Sequence, residues 1–249
     1  MRILLVGYGK MGRTIESLAA EFGCEVAGVI DPQVSEGKDG PDSSRWNGVD
    51  VAIDFSTPDS VAKNVPVLAG RGISMVIGTT GWQKDEAIIR RAVADTSVGI
   101  VSAPNFSTGV ILFEAVVARA AALFSAHPEF GAWLNEAHHQ TKKDAPSGTA
   151  LMLKRAMESA GYSRPIDVSS IRAGSIPGVH TVGFDGPADT ITLTHTARDR
   201  TAFARGALLA AKWVKGRRGW FNMHDVLGLD NVDWRETTEV KRQSKEVKS

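Results

Sequence analysis

The sequence predicts an α/β protein in which an N-terminal doubly wound parallel sheet, Rossmann-like, precedes a second, smaller domain of mixed α+β structure. Three observations predict it. Short apolar runs alternate with segments of helical periodicity over residues 2–104, and the first of those runs ends in a glycine-rich turn. Beyond Asn105 the pattern changes to one long apolar helix followed by alternating strands.

Residues 2–6 form a compact apolar run closed by Gly7, the pattern of a strand buried on both faces. Residues 13–22 then place Ile15, Leu18, Ala19 and Phe22 at helical spacing. Further strands are expected at EVAGVI (25–30), VDVAIDFS (49–56), ISMVIGTT (73–80) and SVGIVSAP (97–104), with a helix between each pair. From Val110 a long apolar helix is expected to connect the two domains, and AWLNEAHH after it reads as a strand. Between Ile166 and His195 the pieces SSIRAG, HTVGF and DTITLTHTA predict a mixed or open sheet, and residues 203–214 return to helical periodicity. The closing EVKRQSKEVKS is charged and nearly free of large apolar groups, so a solvated or frayed tail is expected.

Composition narrows the function. With 29 Lys and Arg against 28 Asp and Glu, the chain has no global field to gather nucleic acid or an anionic membrane, and neither is expected as a partner. Cys24 is the only cysteine, which excludes an internal disulfide and a cysteine-based zinc cluster and fits a reducing compartment. The N-terminal MRILLVG is too short for a signal peptide and no run approaches a membrane span, so a cytoplasmic protein is expected.

GYGKMG, residues 7–12, satisfies G-x-G-x-x-G between a strand and a helix, and Asp31 ends the next strand nineteen residues after Gly12. In such a loop Gly7 permits the tight turn, Gly9 lets the backbone approach a diphosphate and Gly12 lets helix pack on strand, while the helix N-terminus offers free N–H groups to the anion. Tyr8, Lys10 and Met11 complete the loop. Asp31 is suited to accept hydrogen bonds from the adenosine ribose and to repel a 2′-phosphate, which favours NADH; Lys10 and Arg13 could neutralise such a phosphate, so NADPH stays open. GTTG at 78–81 and APNFS at 103–107 follow successive strands, and Asp54-Phe55-Ser56 ends the strand beside them. Each alone is an ordinary loop. Together they line the carboxyl ends of one sheet, where open α/β folds bind ligands.

NEAHHQTKKDAPSGTA, residues 135–150, holds the second group of candidates. Strand alternation places Glu136 and His138 on one face and Ala137 and His139 on the other. Lys142 and Lys143 follow, and then Pro146 in the first turn of a helix that Ser147 or Thr149 can cap. N–H groups beside Gly148 and Thr149, the helix dipole, and nearby imidazole and ammonium groups suit a small, multiply anionic substrate. No metal is expected: the histidines lack cysteine partners and H-E-x-x-H spacing. Beside a dinucleotide loop, the cluster reads as the acid/base end of a redox reaction. A reductase of the same build acting on an imine or amino acid, and a nucleotide sensor without catalysis, also remain open.

E-A-H-H-x-x-K-x-D-A-P-S-G-T, from Glu136 to Thr149, resembles the signature of the 4-hydroxy-tetrahydrodipicolinate reductase (dihydrodipicolinate reductase) family of diaminopimelate and lysine biosynthesis. The resemblance runs through GYGKMG, VAIDFSTP, GTTGW, APNFSTGV, SIRAG, GVHTVGF, LTHTARDRTAFARGAL and GWFNMHDVL. It implies a dinucleotide-binding domain of residues 1–105 and 215–249, and a substrate-binding and oligomerisation domain of 106–214 through which a homotetramer forms. It implies NADH- or NADPH-dependent reduction of a cyclic unsaturated dicarboxylate to tetrahydrodipicolinate. On this chain it implies cofactor contacts at Gly7, Tyr8, Gly9, Lys10, Met11, Gly12, Asp31, Gly78, Thr79, Thr80, Ala103, Pro104, Asn105 and Phe106. His138 and Lys142 are implied as the catalytic pair, and His139, Gly148 and Thr149 as the substrate carboxylate site. The chain departs from the family pattern at Val179, often Glu in the family, and at Pro32-Gln33, where some NADPH-using members carry Arg.

Overall fold

The computed structural model describes residues 1–34 and 39–229; the charged tail lies outside the described residues. In chain order the first half builds β1 (Arg2–Val6), α1 (Lys10–Ala19), β2 (Glu25–Ile30), β3 (Val51–Asp54), α2 (Pro58–Gly70), β4 (Ser74–Ile77), α3 (Glu86–Val93) and β5 (Gly99–Ser102). The second half builds α4 (Thr108–Ser125), β6 (Gly131–His138), α5 (Gly148–Ser159), β7 (Ile166–Arg172), β8 (Val179–Asp185), β9 (Thr190–Thr196), α6 (Thr201–Val214), β10 (Gly219–Phe221) and α7 (Met223–Leu227). Six strands form one sheet in the order β2-β1-β3-β4-β5-β10, every pairing parallel. β6 to β9 form a second sheet in the order β7-β6-β8-β9, with β7 parallel to β6 and the other pairs antiparallel.

The strands of the first sheet read as unbroken apolar runs because both faces are covered. Ile3, Leu5, Val51, Ile53, Val76 and Val101 pack toward Ile15 and Leu18 of α1 and Ala204 and Leu208 of α6. Leu4, Val6, Ala52, Met75 and Ile77 alternate to the other face, against Val61, Val65 and Leu68 of α2 and Ile89 of α3. The chain runs from β1 outward to β2 and then back across to β3, so the topological switch lies between β1 and β3 and their carboxyl ends open a crevice there.

One connection differs from expectation. Among the described residues no α-helix joins β2 to β3; a single 3₁₀ turn, Ser44–Trp46, stands there, with Ser43 Oγ accepting from Arg45 N at 3.4 Å. The segment is rich in Gly, Asp, Ser and Pro and has no helical period. Trp46 does the covering instead. It is 2% exposed, and a Cβ on Gly28 of β2 would lie 2.4 Å from its ring, so the indole lies directly over bare backbone. Trp46→Ala should therefore cost about 3–5 kcal/mol of stability, the usual range for emptying a buried aromatic site. Denaturant unfolding checks this, and a loss below about 1 kcal/mol contradicts the role.

α4 also departs from expectation. Its 18 residues have a mean hydropathy of 1.6 and are, by length and composition, enough to cross a membrane, where the sequence predicts no run approaching a span. The helix is apolar because it serves two cores: Ile111 packs into the first, and Val117 and Ala121 pack into the second with Leu134, Val182 and Phe184. After the second sheet the chain returns to the first. α6 packs along α1 and beneath the sheet, β10 joins its edge, and His224 of α7 lies 3.2 Å from Glu114 of α4.

Candidate active site

At the carboxyl ends of the first sheet the five loops after β1 to β5 meet. Gly7 has φ +87°, and a Cβ there would lie 2.5 Å from the Phe55 carbonyl oxygen, so the glycine loop closes onto the end of β3. A Cβ on Gly12 would lie 2.4 Å from the Gly7 carbonyl oxygen, which leaves the turn no room for a side chain. Gly9 faces open space, and as N-cap of α1 it provides no side-chain bond, so the first N–H groups of the helix keep their capacity for an anion. Asp31 accepts from Tyr8 N at 2.7 Å and Gln33 N at 2.8 Å, tying the end of β2 to the glycine loop. Arg13 lies 4.6 Å over the Tyr8 ring.

Asp54 ends β3 fully buried. Its Oδ1 accepts from Ser56 Oγ at 2.7 Å, Ser56 N at 3.0 Å and Thr79 Oγ1 at 2.7 Å. Burial pushes its carboxyl pKa up against these bonds. The Asp54–Thr79 bond fastens the β3 loop to GTTG, and Phe55 packs edge-to-face on Phe106 at 5.9 Å, fastening it to APNF. Thr79, Ala103 and Phe106 are buried, so they offer a ligand chiefly backbone, while Thr80 and Pro104 are exposed and Asn105 Oδ1 accepts from Ser107 N at 2.8 Å.

The second cluster is centred on a carboxylate. Glu136 is 0% exposed on the inner face of β6. Arg172, paired from β7, reaches its Oε1 at 2.6 Å and its Oε2 at 2.9 Å, the two-pronged geometry that suits guanidinium and carboxylate. Ser147 N donates to Oε1 at 3.2 Å, and His138 Nδ1 makes a short contact with Oε2. Burial alone would raise the Glu136 pKa, but the bonds from Arg172, Ser170 and His138 outweigh it and hold it at about 2. His138 lies below the ordinary imidazole value: burial pushes it down, and Lys142 and Arg172 add to the effect against the pull of Glu136. Beside it His180, 4% exposed, meets the His138 ring edge-on at 5.1 Å and is pushed down to about 4, mainly by burial. Its Nε2 lies 3.0 Å from Ser147 Oγ.

Ser147 caps α5, its Oγ accepting from Ala150 N at 3.1 Å. Pro146 therefore precedes the cap instead of sitting in the first turn as expected, and its bond to Ala145 is cis. Gly148 is exposed with open space where a Cβ would be, and Thr149 is half-buried beside it. Lys142 Nζ pairs with Asp144 at 2.7 Å, and His139, one residue beyond the end of β6 and so outside the strand alternation expected to place it, bonds Thr141 Oγ1 at 2.7 Å.

Donor atoms of Glu136, His138 and His180 lie within 4.8 Å of one another, a spacing a metal ion can span. Arg172 already places a cation on both carboxylate oxygens, so the donor set does not suit a second one. From the sequence Ser147 is a candidate cap, as found, and Glu136 a member of a strand face, while neither Arg172 nor His180 carries an expected role. The period-2 pairing of Glu136 with His138 was a usable signal; Arg172, 36 residues away on another strand, left none.

Comparisons with known proteins cover most of the chain. Residues 1–106 match the family model described as "Dihydrodipicolinate reductase, N-terminus" and residues 109–227 match its C-terminal counterpart. A 4-hydroxy-tetrahydrodipicolinate reductase of Rhodopseudomonas palustris is 35% identical over 271 residues, covering 93% of this chain and 99% of its own. One from Christiangramia forsetii is 34% identical over 238 residues, covering 91% and 98%. The solved structure of a dipicolinate-bound dihydrodipicolinate reductase from a Paenisporosarcina species superposes with a TM-score of 0.75 at 23% identity, covering 89% of this chain and 97% of its own, and shares the fold.

Proposed function

The chain belongs to the dihydrodipicolinate reductase family, and from that premise we propose that its two clusters form one active site for NAD(P)H-dependent reduction of 4-hydroxy-tetrahydrodipicolinate to tetrahydrodipicolinate, in diaminopimelate and lysine biosynthesis. The chain is an oxidoreductase acting on a dicarboxylate. The observation that carries the assignment of residues is the pairing, in one chain, of an open glycine loop at the switch point with a cationic cluster around the start of α5.

The residues of the first lobe fit a dinucleotide: the backbone of Gly7, Tyr8, Gly9, Lys10, Met11 and Gly12 takes the diphosphate, Asp31 the adenosine ribose, and the loops at Gly78–Thr80 and Ala103–Phe106 the nicotinamide half. Reduced nicotinamide, when bound, supplies the hydride. The substrate carboxylates are received by the N–H groups of Gly148 and Thr149, by His139 and by the lysines. His138 and Lys142 are the acid/base pair that supplies one proton as the 4-hydroxyl leaves as water, and nearby cations stabilise charge developing in the ring. We assign residues 1–105 with 201–229 to the dinucleotide unit and 106–200 to the substrate unit; α6, expected with the substrate domain, goes with the dinucleotide unit because Ala204, Ala207 and Leu208 pack into the first core.

The Asp31 carboxylate repels a 2′-phosphate, so we read the coenzyme preference as NADH. The expected result is a lower KM for NADH than for NADPH, with Asp31→Ser narrowing the gap; equal KM values in the parent chain contradict the preference. The reading as a whole is tested by following nicotinamide absorbance with freshly generated substrate and each coenzyme in turn, and no oxidation with either overturns it. A homotetramer is supported by the outer face of the second sheet, where Ile171 is 48% exposed and Trp133 lies across Gly183, and by the exposed Leu112, Val116 and Leu123 of α4. A single buried thiol suits the reducing cytoplasm, where we place the reaction.

A further inference from the structure

We propose that Glu136, held by Arg172, is a positioning residue that fixes the tautomer of His138, so that Nδ1 carries the proton, Nε2 faces the substrate as an acceptor, and the proton of the reaction comes from Lys142. The inference rests on the reading that places His138 and Lys142 at the substrate.

An ionised carboxylate only accepts. Both Glu136 oxygens are bonded, Oε1 by Arg172 and Ser147 N, Oε2 by Arg172 and His138 Nδ1, so the His138 contact is satisfied only if Nδ1 is the donor. A neutral ring that has committed its proton to Nδ1 leaves a lone pair on Nε2. The groups facing the ring are Glu136 of its own strand, Arg172 of β7, His180 of β8, Lys142 and Asp144 of the following loop, and Ser147 at the start of α5, with His195 of β9 next beyond His180. Lys142 and Arg172 oppose a second proton and Asp144 is paired with Lys142, which leaves Glu136 as the anion in contact with the ring. A ring held neutral cannot give the proton, whereas the Lys142 ammonium can, and it recovers the proton from water after turnover.

The far end of the ring is kept clear. Gly178 has φ +144°, and a Cβ there would lie 3.2 Å from His138 Nε2, so a side chain at this position would be strained and would cover the atom that the carboxylate leaves unprotonated. Stability does not account for the arrangement, because a buried ion pair is commonly no more stable than an apolar pair of the same volume.

The test reads the ring itself. Long-range proton–nitrogen NMR of the full chain labelled in histidine, with the His138 signals assigned by their loss in His138→Asn, should show a protonated Nδ1 and an unprotonated Nε2 at pH 7. Glu136→Gln should mix the two tautomers and lower kcat by about 10²-fold or more, as expected when an acid/base imidazole loses its orienting carboxylate. It should also move the acid limb of kcat/KM to lower pH, because the removed charge had favoured the protonated ring. A protonated Nε2 or an imidazolium in the native chain at pH 7 overturns the proposal, as does a folded Glu136→Gln protein with native turnover and an unmoved acid limb. If that variant does not fold, the native spectrum decides alone. Failure of the parent chain to oxidise either coenzyme with the dicarboxylate would count against the functional reading, and the spectrum would remain a separate result.

Discussion

Lys142→Ala should lower kcat by about 10²–10⁴-fold, the usual contribution of a positioned general acid, while the dissociation constant for NADH changes by no more than about twofold. The ammonium sits on the loop after β6, where it pairs with Asp144 at 2.7 Å and is near enough to His138 to depress that ring. The glycine loop belongs to the other sheet, between β1 and α1. Removing the charge therefore removes proton supply and charge stabilisation without altering the coenzyme site. Lys142→Arg keeps the charge but holds its protons far more tightly, so it should restore substrate KM more than kcat. Steady-state kinetics with fluorescence titration of NADH separate the two effects, and unchanged turnover in Lys142→Ala sinks the assignment.

Arg172→Met should be the most destabilising single change in the substrate lobe, at about 3–5 kcal/mol, because it strands a buried carboxylate and does not merely remove a contact. For a chain of this size that corresponds to a fall in Tm of roughly 6–20 °C. Its pH dependence has a definite sign. The Glu136 carboxyl is held at about 2 in the fold against an ordinary 4.5, so the stabilisation it gives is fully present above pH 4.5 and is lost as pH falls through about 2. Without Arg172 that carboxyl rises, and the variant is penalised most where the group must be ionised, near neutrality. Thermal melts of both proteins between pH 7 and pH 3 should show the gap narrowing as the solution becomes more acid. A gap that is constant or widens would mean that Glu136 does not depend on Arg172 for its charge.

Much of the first sheet was legible in the sequence because its strands must be apolar on both faces, and a run such as ILLV admits few other environments. The glycine loop was legible for a related reason: Gly7 and Gly12 stand where a Cβ would meet backbone at 2.5 and 2.4 Å, so residue type and geometry constrain each other. The missing helix between β2 and β3 was not, since a large indole packed over Gly28 covers the sheet as well as a helix would and leaves no periodic trace.

The amino-acid order by itself determined that Glu136 and His138 share a strand face and that a capped helix follows them, because alternation and capping act over a few neighbouring residues. Only the tertiary structure decided what that face does. Arg172 and His180 arrive on β7 and β8, from 36 and 44 residues along the chain; burial would raise the Glu136 carboxyl, and the bonds led by that of Arg172 bring it to about 2, while burial first and then the charges of Lys142 and Arg172 depress the imidazole of His138. Burial and the field of distant charges belong to the assembled sheet, and no local pattern carries them.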